Sequence, residues 1–410
     1  MQTLERTEAE QNGRNIESSW RQLGRPFWRF FFVSLCFDIG FGLYFFLIYL
    51  YLAQLHLGER TIGLAAGALT AGNVVATIPV AFLARRLGLQ KVLLFCFVSA
   101  PLLAALRILG VRLETQMILA FMQGAVMSSY TVCFAPALAS LTTERNRTTA
   151  FSITFGTGIG SGAIAGLLGG AAPEWLRHLR PSVDLSSGMA WVLLFGCGIA
   201  VMGSIPLFRL VLPSAGEPQA ALHRRDVTTP FLMRFLVMVA VWNMAIGAFA
   251  PFATIYLSGP MHVSLRHVGL IFSVSQMLQV GGILAAPLVY RSTGKEKGIA
   301  ILQAAASIAL ISLCLGHSLT AVVASYLSLT MFQYMCNPAI YSLLMDRTKA
   351  HLRPTASALQ NIVSCAFAAI ASAAAGILIA DFGYASLFAA CAILSIAAAA
   401  VMLATSTVPD

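Results

Sequence analysis

Long apolar stretches recur along the whole chain, and each is long enough to cross a lipid bilayer. A transmembrane helix needs about 20 predominantly apolar residues. The chain is 58% apolar with only 10% charged residues, whereas soluble proteins average about 25% charged residues. The pattern therefore predicts an all-α membrane protein. The twelve predicted spans, numbered in chain order, are residues 27–54, 60–84, 90–111, 115–141, 148–171, 188–211, 230–258, 267–290, 298–316, 319–344, 355–380 and 385–406.

The positive charges of the chain gather on one side of the predicted membrane. If the N-terminus lies in the cytoplasm, twenty of the 26 Lys and Arg residues fall in cytoplasmic segments, and such an excess marks the cytoplasmic side. We therefore expect a multi-pass protein of the plasma (inner) membrane with both termini in the cytoplasm. Residues 1–25 are then a cytoplasmic tail and residues 212–229 a cytoplasmic linker. The net charge of +10 reflects basic loops and not nucleic-acid binding.

The two halves of the chain repeat each other. The motif His56-x-x-x-Arg60 recurs as His262-x-x-x-Arg266, displaced by 206 residues, and the basic loops after spans 2 and 8 repeat at the same displacement. Because six spans per half is an even number, both halves enter the membrane in the same sense, as parallel repeats. We therefore predict two pseudo-symmetric six-helix bundles. Their bounds are residues 26–211 and 230–410.

Asp38 is an acidic residue in the middle of an apolar span. It lies eleven residues beyond Phe27, roughly 16 Å along a helix. This places it near the bilayer midplane, where a carboxylate costs roughly 3 kcal/mol on insertion scales. Such residues mark proton and substrate pathways, which predicts a proton-coupling site facing an internal cavity. The alternative is an acid that stays protonated and hydrogen-bonds a neighbouring helix. In the second half, Asn243 occupies the matching position.

Polar and aromatic side chains inside spans 1, 4, 7 and 10 fall on single helical faces. In span 10, Thr330, then Gln333 or Tyr334, then Asn337 and Tyr341 follow one another in steps of three or four residues, about one helical turn each. Because buried amides need partners or water, four such stripes predict a wet cavity. Interhelical hydrogen bonding is the alternative for any single residue. The predicted cavity residues are Ser34, Phe41, Phe45, Tyr49, Gln123, Tyr130, Asn243, Gln333, Tyr334 and Asn337.

The chain resembles the major facilitator superfamily of secondary transporters along its whole length. The resemblance rests on the loop Arg85-Arg86-Leu87-Gly88-Leu89-Gln90-Lys91, on its repeat after span 8, and on Glu144-Arg145-Asn146-Arg147 after span 4. It implies two bundles around a central cavity lined by spans 1, 4, 7 and 10, which opens alternately to each side of the membrane. The gating-loop residues it suggests are Arg85, Gly88, Lys91, Glu144, Arg145, Arg291, Gly294, Lys297, Asp346 and Arg347.

Two further features concern packing. Span 5 carries seven glycines between residues 156 and 170. Small residues four apart allow close approach of helices in membranes, so this face is predicted to pack against a neighbouring helix.

Arg107 lies near the outer end of span 3, and its long aliphatic chain is expected to let the guanidinium snorkel to the interface. The alternative is a buried partner for a substrate.

These observations predict a secondary active transporter that moves a small organic solute by alternating access, coupled to protons through Asp38. Deprotonation would place a charge in the cavity, and protonation would let the closed, dry state form at lower cost. The glycine-rich span 5 resembles a motif associated with exporters in the family and favours export. The alternatives are uptake by proton symport and an uncoupled facilitator. A single acid among aromatic residues suits cations or amphipathic neutral molecules, and disfavours multiply anionic substrates.

A membrane-embedded enzyme or receptor is disfavoured. The sequence contains no GxSxG, HExxH or P-loop motif. Its eight Cys residues stand singly, in no CxxC pair, so we expect no metal site, cofactor or disulfide framework. The expected partners are the small-molecule substrate, protons and the lipid bilayer, with the chain acting as a monomer.

Overall fold

The computed structural model describes residues 23–110, 112–180, 182, 184–212, 229–316, 318–349 and 352–405. The regular structure of these residues is helical, and the predicted tail and linker lie almost wholly outside them. The helices of the first half are Arg25–Gln54, Glu59–Leu87, Leu89–Leu109, Leu113–Ser140, Glu144–Leu179, Leu185–Met202 and Ser204–Phe208. Those of the second half are Pro230–Phe249, Ala253–Ser258, Leu265–Thr293, Lys295–Leu315, Leu319–Arg347 and Arg353–Thr405.

The structure agrees with twelve spans once its longest helix is divided. Among the described residues, eleven helical segments are long and apolar enough to cross a membrane, counting the two short helices as continuations of spans 6 and 7. The last helix, Arg353–Thr405, has 53 residues and would be about 80 Å long, whereas a bilayer core is about 30 Å thick. Gly383 interrupts it with φ 80° and ψ 176°, a conformation that glycine adopts without a steric clash. Spans 11 and 12 are therefore residues 353–382 and 384–405.

The two halves repeat their backbone turns as well as their motifs. His56 and His262 both take positive φ, at 58° and 51°, which few residues other than glycine adopt. Gly88 and Gly294 take φ 87° and 81° immediately before spans 3 and 9. Both pairs stand 206 residues apart. The same turns therefore connect the same spans in each half, as two parallel repeats require.

The two bundles touch most closely at one end of the molecule. We call the end where span 1 begins and span 2 finishes the basic end, and the other the opposite end. Near the opposite end, span 2 packs on span 11. A Cβ added to Gly63 would lie 2.7 Å from Ser372 O and 2.8 Å from Gly376 Cα. Distances this short leave no room for a side chain, so backbone meets backbone there.

Spans 5 and 8 form a second contact at the same end. Gly166 and Gly170 of span 5 meet Gly269 of span 8, where an added Cβ would lie 2.9 Å from Gly170 Cα. Beside them, Ser273 Oγ donates a hydrogen bond to Ala163 O at 2.7 Å. The glycine-rich face of span 5 thus packs closely against a neighbouring helix, as small-residue faces do in membranes. We call the contact of Gly166, Gly170 and Gly269 the glycine seam.

At the basic end the ion pairs lie within one bundle. Lys295, at the start of span 9, pairs with Asp346 near the end of span 10, and Arg347 Nη2 pairs with Glu296 Oε1 at 2.9 Å. Neither ion pair seen among the described residues joins the two bundles. The bundles are therefore closed on each other at the opposite end, with no ionic lock between them at the basic end in the described part of the chain.

The predicted gating residues divide into four groups. Asp346 and Arg347 brace span 10 on span 9, and Gly88 and Gly294 supply the turns of positive φ. The side chains of Glu144 and Arg145 lie outside the described part. The exposed members are Arg85, Lys91, Arg291 and Lys297.

Candidate functional site

Asp38 lies partly exposed in the middle of span 1, next to spans 4 and 5. Tyr130 Oη donates a hydrogen bond to Asp38 Oδ1 at 3.2 Å. A Cβ added to Gly158 of span 5 would lie 3.4 Å from Asp38 Oδ2, an ordinary van der Waals contact, so the carboxylate lies close to span 5 at Gly158. In the described part of the chain, no Lys, Arg or His forms an ion pair with Asp38. Its charge is thus not neutralised by a neighbouring side chain there.

Aromatic rings hold Tyr130 in place beside this carboxylate. The Tyr130 ring lies 4.6 Å from the Phe37 ring, centroid to centroid, and Phe37 packs on Phe41 at the same distance. Packed rings of this kind fix the direction of a tyrosine hydroxyl. Ser34 and Phe41 were predicted to line the cavity. Both are buried inside this packing and present no open surface in this conformation.

The second half repeats the arrangement around Asp38 with neutral groups. Asn243 matches Asp38, and Ser364 stands 206 residues after Gly158. Asn243 Nδ2 donates to Ser364 Oγ at 3.2 Å and to Val239 O at 2.8 Å. The first half places a carboxylate beside a glycine, whereas the second half places an amide on a hydroxyl. Only the first of these two groups can exchange a proton in the ordinary pH range.

A cavity of about 370 Å³ lies between the two bundles. Phe45 and Tyr49 of span 1, two of the predicted cavity residues, line it together with Phe272 of span 8. It begins two helical turns beyond Asp38, roughly 10 Å along span 1 towards the opposite end. Its volume falls in the range of small-molecule sites. Its hydroxyl groups besides Tyr49 come from Thr70, Thr254 and Ser372.

A smaller cavity of about 210 Å³ lies inside the second bundle. Asn243 and Asn337, both predicted cavity residues, line it. Gln333 is nearly buried and Tyr334 is exposed, and neither lines one of these two cavities. Gln360 of span 11 lines the smaller cavity and was not predicted. The sequence feature that could have identified Gln360 is an amide side chain in an otherwise apolar span.

Arg107 is fully buried between spans 3 and 4, and the prediction that it snorkels to the interface is wrong. Its Nε donates to Gln116 Oε1 at 3.1 Å, and its Nη1 donates to Gln123 Oε1 at 2.8 Å. Gln116 Nε2 also donates to Arg107 O at 2.6 Å. The two glutamines lie seven residues apart on one face of span 4, and their amides replace the water that a snorkelling guanidinium would reach.

Gln123 therefore has a different role from the one predicted. It is fully buried and lines neither of the two cavities. Its side-chain oxygen accepts hydrogen bonds from Arg107 and, at 3.4 Å, from Tyr44 Oη. Its place is in the interior of the first bundle, where it stabilises a buried positive charge.

We expect Gln123→Leu to destabilise the protein, because Arg107 Nη1 and the Tyr44 hydroxyl lose their acceptor. Leaving a buried donor unpaired costs on the order of 1–3 kcal/mol, and more when the donor is charged. The measurement is the thermal unfolding midpoint of the purified protein. The matched control is Gln90→Leu, since Gln90 donates to a carbonyl near the surface, Leu207 O, at 3.1 Å. Equal midpoints for the two variants would contradict the expectation.

Among the described residues, no group of three or more His, Cys, Asp or Glu side chains is arranged to hold a metal ion. The eight cysteines are free thiols.

The chain matches a known protein family in sequence and several solved structures in fold. The family model for the Major Facilitator Superfamily matches residues 30–372. The solved structure of the nucleoside transporter NupG is similar with a TM-score of 0.73 at 15% identity, over 94% of this chain and 100% of that chain. A bacterial homologue of the human lysosomal transporter Spinster, inward-facing and occupied, gives 0.74 at 14% identity over 93% and 96%.

A third similar structure is a bacterial homologue of the iron transporter ferroportin in an inward-facing state. It gives a TM-score of 0.67 at 14% identity, over 94% of this chain and 99% of that chain. At identities this low, the similarity establishes the fold and not the substrate. No curated protein sequence matches the chain.

Proposed function

The chain belongs to the Major Facilitator Superfamily, and from this premise we propose that it couples the movement of a small organic solute to protons through Asp38. Membership of this family of transporters supports a secondary transporter. Proton coupling, the direction of transport and the substrate are the proposed part. We also propose a monomer in the plasma (inner) membrane with both termini in the cytoplasm.

The position of Asp38 carries the proposal. It is a partly exposed carboxylate in the middle of span 1, it accepts a hydrogen bond from Tyr130, and it lies on the side of the inter-bundle cavity nearer the basic end. Acidic residues at this depth are typical of proton relays in transporters. Its counterpart Asn243 cannot titrate, so the two halves together offer one proton site and not two.

The coupling follows from the cost of burying charge. An ionised Asp38 opposes closure of the basic end around it, because an unpaired carboxylate loses its hydration without compensation. Once Asp38 is protonated, Tyr130 and the surface of Gly158 surround a neutral acid, and the bundles can close there. Solute in the inter-bundle cavity is then exposed to the other side of the membrane when the glycine seam opens.

The direction of transport follows from when the solute and the proton bind. In export, they bind alternately and exchange across the membrane. In uptake by symport, they bind together. The glycine-rich span 5 favours export, and the same residues would serve uptake.

The test is flux in proteoliposomes under an imposed pH gradient. A thermal-stability screen on the purified protein first supplies a solute that binds. We expect that solute to move against its concentration gradient only while the pH gradient persists, and the sign of movement to distinguish antiport from symport. Transport that is unchanged when a protonophore dissipates the gradient would refute proton coupling and leave an uncoupled facilitator.

A further inference from the structure

A groove of about 420 Å³ opens at the surface of the basic end, between the first turns of span 1 and the last turns of span 6. It is lined by Arg25, Trp28, Arg29 and Phe32 of span 1 and by Pro206 of span 6. The four residues of span 1 are exposed. Their spacing of three or four residues places them on one face of the helix. We call this feature the arginine groove.

Spans 1 and 6 are packed tightly just beneath the arginine groove. A Cβ added to Gly203 of span 6 would lie 2.9 Å from Val33 O of span 1, and one added to Gly40 would overlap Gly196 O. Backbone therefore meets backbone at two levels of this helix pair. Close contacts of this kind stabilise the pairing of helices in membranes, so the two walls of the groove are held at a fixed separation.

The two positive charges of the groove are not neutralised by neighbouring acids. Residues 23–37 and 200–212, which contain both walls, include no Asp or Glu. The ion pairs seen among the described residues involve neither Arg25 nor Arg29. Because residues four apart on a helix have Cβ atoms about 5–6 Å apart, both guanidinium groups can reach the same anion. The planar fork of arginine matches the geometry of a phosphate group.

The groove changes from charged to apolar with depth along span 1. Trp28 lies about 4.5 Å and Phe32 about 10.5 Å beyond Arg25 along the helix, and these two rings are 40% and 51% exposed. Tryptophan is enriched at the membrane–water interface. Met202 and Ile205, in the last turns of span 6, are also exposed. A phospholipid presents the same order of chemistry, from its phosphate through the glycerol region to its acyl chains.

We propose that the arginine groove binds an anionic phospholipid of the leaflet at the basic end, which is the cytoplasmic leaflet in the orientation proposed above. Arg25 and Arg29 hold the phosphate. Trp28 packs against the glycerol region, and the acyl chains run along Phe32. Basic pockets between transmembrane helices on the cytoplasmic side are typical sites for anionic headgroups. The bound lipid braces the start of span 1, the helix that carries Asp38, against span 6.

Quenching of Trp28 fluorescence by brominated lipids tests the proposal. The protein is placed in nanodiscs with equal amounts of phosphatidylglycerol and phosphatidylcholine, only one of which carries bromine on its acyl chains. The contribution of Trp28 is the difference between the wild type and Trp28→Phe. Each basic residue near an anionic surface is worth about a fivefold preference, so two should favour phosphatidylglycerol roughly 25-fold at this site. Equal quenching by the two brominated lipids would overturn the proposal.

Variants assign the preference to the groove. Arg29→Gln should weaken it about fivefold, and Arg25→Gln combined with Arg29→Gln should abolish it. Both side chains are exposed, so these variants should fold, and their unfolding midpoints in neutral detergent check this. The matched control is Arg291→Gln combined with Lys297→Gln, which removes two exposed positive charges from the basic end of the other bundle. A preference that survives in the first pair, or that is lost equally in the control pair, would refute the site.

A soluble anion is the alternative ligand for the two arginines. Inorganic phosphate, compared with chloride at equal ionic strength, should leave the lipid preference unchanged, because the acyl chains keep the lipid beside the groove. A preference that phosphate abolishes and chloride does not would assign the groove to a soluble anion and overturn the lipid site. Asp38→Asn should quench as the wild type does, so this outcome is independent of the test of proton coupling.

Discussion

Proteoliposomes carrying Asp38→Asn are expected to show no accumulation of solute under an imposed pH gradient. One pH unit is worth about 1.4 kcal/mol per proton, enough for roughly tenfold accumulation in one-for-one exchange. Asn cannot take up a proton, and the matching residue of the second half, Asn243, cannot replace it. The tenfold accumulation should therefore fall to equal concentrations on both sides, while flux down a solute gradient continues.

The conservative variant Asp38→Glu provides the control for this experiment. It keeps a titratable carboxyl group next to Tyr130 and should retain accumulation, at a rate reduced by the longer side chain in the space beside Gly158. Both variants are compared at equal amounts of reconstituted protein, with uptake of the labelled solute as the readout. Wild-type accumulation in Asp38→Asn would show that another group carries the proton, and the proposed site would be wrong.

Gly269→Val should shift the protein away from the arrangement closed at the opposite end. A Cβ at Gly269 would overlap Gly166 O and lie 2.9 Å from Gly170 Cα, and two facing backbones cannot yield as a flexible side chain would. Overpacking typically costs 1–3 kcal/mol, so the population of the closed arrangement should fall by roughly 5- to 160-fold. Transport should slow accordingly, because each cycle passes through this arrangement.

The readout is the distance between spin labels on the two bundles. Gly58, in the loop after span 1, and Pro260, in the loop before span 8, are both exposed at the opposite end. The wild type should show a short distance, and Gly269→Val a longer one. The matched control is Gly281→Val in the same helix, where an added Cβ meets no atom within 4 Å. A distance distribution unchanged by Gly269→Val would show that the seam does not hold the bundles together.

The fold could be predicted from the sequence because its determinants are long and periodic. Three patterns each depend on many residues. They are the twenty-residue apolar spans, the excess of Lys and Arg on one side of the membrane, and the displacement of 206 residues between the halves. The break at Gly383 adds the twelfth span to the structure, at the place where the sequence separates spans 11 and 12. The depth of Asp38 within span 1 follows from counting residues along a helix.

The contacts between helices could not be predicted in the same way. A polar stripe shows which residues share a face, but not which neighbour that face meets. Arg107 stands nearly alone as a polar residue in span 3, so no stripe indicated that it points towards Gln116 and Gln123. The packing of the helices turned Gln123 inward, towards the Arg107 guanidinium, where an open cavity was expected.

The buried guanidinium has an electrical consequence. Arg107 is held inside the first bundle by neutral amides, so its positive charge stays with that bundle through the cycle. With Asp38 ionised, the bundle interior carries one positive and one negative group that cancel; with Asp38 protonated, the positive group is uncompensated. Moving one elementary charge across a full membrane potential of 100 mV is worth about 2.3 kcal/mol. Under the proposed coupling, the two protonation states of Asp38 therefore differ by one elementary charge in the interior of the first bundle, and the membrane potential acts on that difference in proportion to the part of the field it crosses.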